Sequence, residues 1–444
     1  MSEKKPIPNP HSAFRTPHSP PSSAPIRTRL RRYPRLRRAA RRLYRMGQLL
    51  VARAALRLRG HPPALIDVDP QAIQTTVALD DPTLRGNATW HFGAVAGGDW
   101  DLGGAPVQKH GDVFAILAQR VRDGRPLAEI PEAQAHLRAI ADGHIVDSCT
   151  TPAEYAARWD AIVALYHAIR RDGYRTQAAL GSDNPLDEIR IQIGRRGELL
   201  FEEGLHRLAI AQLLELPSVP ALVTRRHAAW AALRDAVLKI VLQRGFIHQP
   251  LDHPDLDSLP LLYGRDLHRR AFYGDARWPL IRDSLLVAQG TVLDIGAYFG
   301  YFDHRLEALG FTCYAVEPDP DNLAALRLHR DVRGRAFTIW PCSLFEIEQY
   351  AGIDLAHVSF DVVLALNIFH HLVRTRADHD QLVAFLQRLR CRALYLEPDA
   401  NAGVDAYRRF SDAEFVAFVQ RHTGLSQARL LGRAQEGRNV YLLS

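Results

Sequence analysis

Lysine is almost missing from this 444-residue chain. Lys4, Lys5, Lys109 and Lys239 stand beside 52 arginines, a bias that reads as GC-rich, bacterial coding rather than as chemistry. Cysteine is equally scarce. Cys149, Cys313, Cys342 and Cys391 are scattered without CxxC or CxH spacing, which argues against a zinc site and a disulfide framework and suits a reducing cytoplasm. No stretch approaches the roughly 20 apolar residues that span a bilayer. The basic N-terminus leads into no apolar core with a small-residue cleavage site, so no signal peptide is expected. A cytoplasmic protein is the expectation, and 444 residues with 47% hydrophobic and 24% charged content call for two or three globular domains.

Acids are what the stretch 1–66 lacks. Glu3 is the only one, against 14 arginines and two lysines, a net of +15. Taken from the overall +7, that leaves −8 on the rest of the chain. The overall charge therefore describes the tail and gives no sign of a nucleic-acid groove in the folded body. Pro, Ser and His dominate residues 1–26, a composition that predicts disorder. Residues 27–59 hold 13 arginines, and Leu36, Ala40, Leu43, Gly47, Leu50, Ala54 and Leu58 recur at helical spacing. Two readings stand: a basic amphipathic helix on acidic lipid or on an acidic or nucleic-acid partner, peripheral to the membrane, or a solvated, partly helical tail. An organelle transit peptide ranks below both, given the coding bias.

Acids return at residue 67. "HFGAVAGGDWDLGG" (91–104) reads as a short strand entering a Gly/Asp surface turn, and 153–173 as an amphipathic helix closed by Gly173. From Asp187, alternating isoleucines, a "GRRG" turn, "ELLF", a helix and "VPALVTRRH" read as hairpin, helix, strand. "HQPLDHPDLDSLP" (248–260), loaded with Pro and Asp, is the expected linker. Beyond it, apolar runs at 291–295, 312–316, 361–366 and 393–396 alternate with helical stretches, which predicts a parallel sheet with helices on both faces. "GRNVYLLS" reads as a last, antiparallel strand.

The strongest local signal is "VLDIGAYFG". Asp294 closes a buried strand, and Gly296 and Gly300 let the backbone turn towards a ligand beyond the strand's carboxyl end. Glu317 closes the next strand, where a carboxylate accepts from both hydroxyls of a ribose. A dinucleotide fold asks for G-x-G-x-x-G around a pyrophosphate, whereas these glycines are spaced G-x-x-x-G with an acid before the first. That acid would repel a pyrophosphate and suits a cofactor bearing an amino acid and a sulfonium.

At these residues 290–444 resembles a class I S-adenosylmethionine-dependent methyltransferase. "VLDIGAYFG" corresponds to its first motif, Glu317 in "AVEPD" to its second acidic position, "FDVVLALNIFHHL" (360–372) to its fourth strand and "ALYLEPD" (393–399) to its fifth. The resemblance implies S-adenosylmethionine as cofactor. Asp294, Gly296, Ala297, Tyr298 and Gly300 would line its methionine and ribose side, and Glu317 would hold the ribose. Ser343 and Leu344 would flank the adenine, and Asn367 would face the sulfonium. His370 and His371 follow the fourth strand on the acceptor side, as candidate general bases or as packing residues. Two adjacent histidines without a third ligand imply no metal site. Two positions depart from the pattern: Tyr298 stands where glycine is frequent, as a variant loop that narrows the cofactor's mouth, and Ser343 stands where Asp is frequent. Neither the Asn/Asp-Pro-Pro-Tyr/Phe of amino-DNA methyltransferases nor a Pro-Cys nucleophile is present.

The stretch "IQIGRRGELLFEEGLHRLAIAQLLELPSVPALV" resembles the ParB/sulfiredoxin-like fold, through Gly204-Leu205-His206-Arg207 after Glu202 and Glu203. The resemblance implies an anion or nucleotide site at Gly204, His206 and Arg207, with 225–227 adding positive charge. The opposing reading pairs Arg207 internally with Glu202 or Glu203 and leaves a docking scaffold. The expected organisation is a basic tail (1–66), an α+β ParB-like domain (67–247) and a Rossmann-like α/β methyltransferase domain (248–444) acting on a small molecule or glycan precursor. The alternatives are a nucleotide-responsive DNA- or membrane-associated protein with a degenerate methyltransferase fold, and a ParB-like nuclease.

Overall fold

The computed structural model describes residues 64–77, 93–109, 112–182, 187–245, 247–259, 272–398, 407, 410–434 and 437–444, which all belong to one compact unit. The helix expected over 27–59 lies outside the described residues.

Two sheets organise them. The first takes β1 (Ala64–Val68), β2 (Thr75–Thr76) and β3 (Ala94–Ala96), and then three helices, α1 (Val113–Arg122), α2 (Pro131–Ala141) and α3 (Pro152–Asp172). Next come β4 (Ile189–Ile193), β5 (Leu199–Glu203), α4 (Leu205–Leu213), β6 (Val219–His227) and α5 (Ala228–Arg244). The strand order is β1-β6-β4-β5-β2, with β3 also on β6. The expected hairpin, helix and strand are β4, β5, α4 and β6. Helix α3 starts at a Thr151–Glu154 capping box with Pro152 in its first turn and stops at Gly173, as its sequence signals require. Its Tyr155 and Trp159 pack with Ile116 and Ile210 into the core beneath the helices.

The segment expected as a linker is not one. After α5 the chain enters a short helix, α6 (Pro254–Asp257), and buries Gln249, Leu251, His253, Asp255, Leu256 and Leu259. Its acids and histidines, which read as solvated, are consumed inside. His253 Nδ1 accepts from the Asp255 N–H at 3.1 Å and its Nε2 bonds the Gly197 carbonyl at 2.8 Å. Burial pulls its pKa down to about 4, so the ring is neutral, as that accepting role requires.

After α7 (Phe272–Arg282) the second sheet begins. It comprises β7 (Thr291–Ile295), α8 (Tyr301–Ala308), β8 (Thr312–Val316), α9 (Pro320–Val332), β9 (Thr338–Trp340), α10 (Ile347–Ala351), β10 (Ser359–Leu366), α11 (Arg376–Arg388), β11 (Arg390–Glu397), α12 (Asp412–Thr423), β12 (Ala428–Arg433) and β13 (Asn439–Leu443). The order is β9-β8-β7-β10-β11-β13-β12, parallel from β9 to β11 and antiparallel where β13 meets β11 and β12. This is a doubly wound α/β sheet, with the chain reversing direction between β8 and β10 on either side of β7.

One apolar cluster runs from the first sheet to the glycine turn and α9 of the second lobe. Trp230, Val237, Leu238 and Val241 of α5 share it with Leu251, Tyr298, Phe299, Ala325 and Val332. Helix α5 packs on α9, and Arg244 reaches Asp319 at 2.7 Å and Asn322 at 2.9 Å, while Lys239 reaches Asp321 at 2.6 Å. The two lobes are one packed body.

Candidate active site

Asp294, Glu317 and Asn367 stand at or just past the carboxyl ends of β7, β8 and β10, which lie side by side in the sheet. Between β7 and α8 the turn is tight because its backbone folds onto β8: the N–H groups of Gly296 and Ala297 both donate to the Val316 carbonyl, at 2.9 and 3.0 Å. Gly296 and Gly300 both have φ of 76°. A Cβ on Gly296 would sit 3.0 Å from Ile368 Cδ1, and one on Gly300 2.8 Å from Leu326 Cδ1, so the left-handed backbone favours glycine and a side chain would also have to displace these methyls.

Glu317 is buried and organises this turn. Its Oε2 accepts from the Tyr298 N–H at 2.9 Å, and its Oε1 accepts from the Asp319 N–H at 2.9 Å and from Asn322 Nδ2 at 3.3 Å. Burial raises its pKa, and those hydrogen bonds oppose the rise. Asp294 is buried as well, and its Oδ2 has no partner. Facing it is Asp303 of α8, also fully buried. Burial pushes Asp294 up to about 7 against the pull of Asp303 and Arg277. Asp303 is raised well above its usual value by burial and by the Asp294 charge, so the two buried carboxyls oppose each other's ionisation.

Tyr298 also adopts a left-handed conformation, φ 56°. Its backbone serves Glu317, but its ring leaves the site. It stacks on Phe299 with centroids 3.9 Å apart and joins the cluster shared with α5, rather than narrowing the cofactor's mouth as its position in the sequence suggests. Tyr298→Gly should therefore cost about 2–3 kcal/mol of stability, the loss of a buried ring less roughly 1 kcal/mol of relieved backbone strain. Cofactor affinity should stay within threefold, because the Glu317 bond is to the main chain. Chemical denaturation alongside calorimetry reads both.

Asn367 has φ of 58°, donates its N–H to the Glu397 carbonyl at 3.1 Å, and leaves its Oδ1 without a partner. Glu397 also takes a buried ion pair from Arg277 of α7 at 2.7 Å. His370 is buried and His371 exposed in the short turn Phe369–Val373, their rings 3.9 Å apart. His248 lies beside Tyr298, with centroids 5.5 Å apart. Burial first, then the charges of Arg277, Arg438 and His371, depress its pKa to about 4, so these four groups stand within electrostatic reach of one another. Ser343 is held in a capping box by Glu346, which accepts its N–H at 2.9 Å, and Leu344 is buried against Trp340, Cys342 and Ile347.

Three participants were not visible as site residues in the sequence. Asp303 reads as a solvent-facing acid of α8. Glu397 belongs to a quoted strand motif without a role. Gln249 comes from the supposed linker, yet its Oε1 accepts from the Phe299 and Tyr301 N–H groups at 3.3 and 3.4 Å and so caps the glycine turn from the other lobe. No signal in the sequence marks it.

The box in the first lobe is internally compensated. Gly204 supplies the left-handed residue before α4. Arg207 bonds the Asp187 carbonyl and pairs with the Asp187 carboxylate at 2.7 Å, not with Glu202 or Glu203, and His206 lies 3.5 Å from Asp147. Residues 225–227 add nothing to it: Arg225 lies over Trp100, Arg226 is buried on Asp255, and His227 caps α5 through a bond from the Ala229 N–H. The "GGDWD" loop is pinned down, with Asp101 accepting the Arg195 N–H at 2.7 Å and its guanidinium at 2.7–3.1 Å.

A doubly wound sheet with a glycine turn at its switch point and an acid closing the next strand defines a Rossmann-like nucleotide-binding fold. Residues 293–391 match the family model described as a methyltransferase domain, which covers β7 through the start of β11. The second sheet is an S-adenosylmethionine-dependent methyltransferase domain. No curated protein matches the chain. Among solved structures, the bifunctional kinase-methyltransferase WbdD is similar at 21% identity over 47% of this chain and 46% of its own, with a TM-score of 0.37. The magnesium protoporphyrin IX methyltransferase ChlM of Synechocystis PCC 6803, solved with bound S-adenosylmethionine, is similar at 13% identity over 38% and 74% of the two chains, with a TM-score of 0.28. The chain spans less than half the length of the WbdD chains it matches.

The residues present fit this cofactor. Asp294 Oδ2 and Asn367 Oδ1 are buried acceptors awaiting donors, and Asp294 and Glu317 add two buried carboxyls at the strand ends. An ammonium, a sulfonium and two ribose hydroxyls satisfy that set, and a pyrophosphate would not.

Proposed function

We propose that the protein methylates a small-molecule or glycan-precursor acceptor with S-adenosylmethionine. The observation that carries this reading is the acceptor set Asp294, Glu317 and Asn367 on three neighbouring strands around a glycine turn. When bound, S-adenosylmethionine supplies an electrophilic methyl group on sulfur. The chain's part is to hold the amino acid end at Asp294 and the ribose at Glu317, to align the acceptor, and to take its proton. Of the two histidines, His371 is the exposed one, and we assign it the proton-accepting role, with buried His370 positioning it. The lack of amino-DNA and cytosine-C5 methyltransferase motifs supports a small acceptor over a nucleic acid. The first lobe serves as the platform that holds the glycine turn through Gln249 and Tyr298.

The test is calorimetric titration of the full chain with S-adenosylmethionine, since residues 250–444 share their core with the first lobe. One saturable site is expected. Its pH dependence follows from Asp294. A bound ammonium requires the carboxylate ionised, whereas the free protein holds its proton up to about pH 7. Affinity should rise about tenfold from pH 6 to pH 8, with proton release visible in buffers of different ionisation enthalpy. The free protein should show the opposite trend from this group: its proton is held more tightly folded than unfolded, so the stability it contributes falls as pH rises from about 4 to about 7. A flat affinity profile would remove Asp294 from the ammonium site.

A further inference from the structure

A cavity of about 410 Å3 lies away from the methyl-transfer site, where the β4–β5 turn and residues 250–252 meet α8 and the end of α9. Helix α8 begins at the glycine turn and runs back towards the opposite edge of the sheet. The cavity follows it from Tyr301 to Ala308, and Arg333 and Arg335 come just after the far end of α9. Four arginines line it, Arg196, Arg305, Arg333 and Arg335, against a single acid, Asp252.

Compensation inside this cavity is incomplete. Arg305 takes Asp252, and its guanidinium carbon lies 3.6 Å from the centre of the Tyr301 ring. Arg333 hydrogen-bonds the main-chain carbonyls of Leu251 and Asp252, at 3.3 and 3.5 Å, lies over the Trp230 ring and feels the charges of Asp252 and Glu198 without a direct ion pair among the described residues. Among the described residues, neither the Arg196 nor the Arg335 guanidinium meets a carboxylate. The guanidinium carbon of Arg196 lies 4.0 Å from where a Cβ on Gly334 would stand, which brings the first lobe's arginine onto the loop that carries Arg333 and Arg335. Burial lowers the proton affinity of Arg333, Asp252 and Glu198 oppose the shift, and the charges of Arg305 and Arg335 add to it. His304 and His329 on the same wall are kept neutral, chiefly by burial.

From this arrangement we infer a binding site for a small molecule that carries a diphosphate. Four arginines against one lining acid favour a polyanion, and guanidinium forks match phosphoryl oxygens two at a time. The volume falls within the roughly 300–1,000 Å3 of ordinary ligand cavities. Both lobes contribute, so the site exists only in the intact chain.

The experiment is titration of the full chain with inorganic pyrophosphate, with sulfate as a single-group control. Saturable pyrophosphate binding is expected, tighter than sulfate by tenfold or more. In Arg196→Ala/Arg335→Ala it should weaken at least tenfold, while S-adenosylmethionine affinity and melting temperature stay at wild-type values. The conservative pair Arg196→Lys/Arg335→Lys should restore part of the loss and guards against a folding defect in the alanine variant. Anion held by the arginine-rich N-terminal stretch would be indifferent to both substitutions. Equal sulfate and pyrophosphate affinities, or pyrophosphate binding unchanged in the alanine variant, would overturn the assignment.

Discussion

Asp255→Ala is expected to cost about 3–5 kcal/mol, a large share of the roughly 5–15 kcal/mol that holds a typical domain together. The fully buried Asp255 carboxylate accepts from Arg226 Nε at 2.9 Å and from its terminal nitrogen at 2.5 Å, and from Trp230 Nε1 at 2.9 Å, with Arg234 Nε at 3.6 Å. Those partners hold its pKa below the usual carboxylate value although burial works the other way. Alanine would leave the guanidinium of Arg226 unpaired in the interior and remove the larger of the two anionic influences on Arg234. Asp255→Asn, which keeps the shape and an acceptor but loses the charge, should fall in between. Urea denaturation followed by circular dichroism reads both, and a midpoint for the alanine variant within 0.3 M of wild type would show the network to be dispensable. The sign with pH is opposite to that of Asp294. The stability Asp255 contributes is present above its unfolded value near 3.8 and is lost as the solution is acidified through its lower folded value.

Glu317→Ala should weaken S-adenosylmethionine binding by about 100-fold or more. Two hydrogen bonds from ribose hydroxyls to a buried carboxylate contribute about 1.5–3 kcal/mol each. The substitution also strips the Tyr298 and Asp319 N–H groups of their acceptor, so the turn loses its fixed shape. Glu317→Gln separates the two effects. Its amide oxygen can still accept one of these N–H groups, but the charge and one acceptor are gone, so an intermediate loss of about tenfold is expected. Calorimetry of the full chain distinguishes them, and a Glu317→Ala protein that binds within threefold of wild type would place the ribose elsewhere.

What the sequence made legible is local. Apolar runs bounded by turn residues mark β7, β8, β10 and β11, because strands buried on both faces leave that trace whatever they pack against. A glycine turn is equally visible, since left-handed backbone at Gly296 and Gly300 strongly favours glycine. Strand β9 is too short to show a period. Edge strand β12 is exposed along most of its length and carries no alternation. Long-range pairings were the harder part. Asp303 sits on an amphipathic helix where an acid normally meets solvent, and only the fold turns it towards Asp294. Arg207 had two acids just before it in sequence and takes Asp187 instead, from the far side of the β4–β5 hairpin in the chain. Residues 248–259 have the composition of a solvated connector, yet Arg226 and the glycine turn draw Asp255 and Gln249 inside.

The shared core also has a bearing on engineering. An attempt to change acceptor preference by grafting a foreign first lobe onto this methyltransferase sheet could not cut the chain near residue 250, where the composition invites it. The donor would have to supply its own equivalents of Gln249 and of the α5 surface that receives Tyr298, or the recipient's cofactor turn would lose its scaffold at the splice. The interchangeable unit comprises both lobes together.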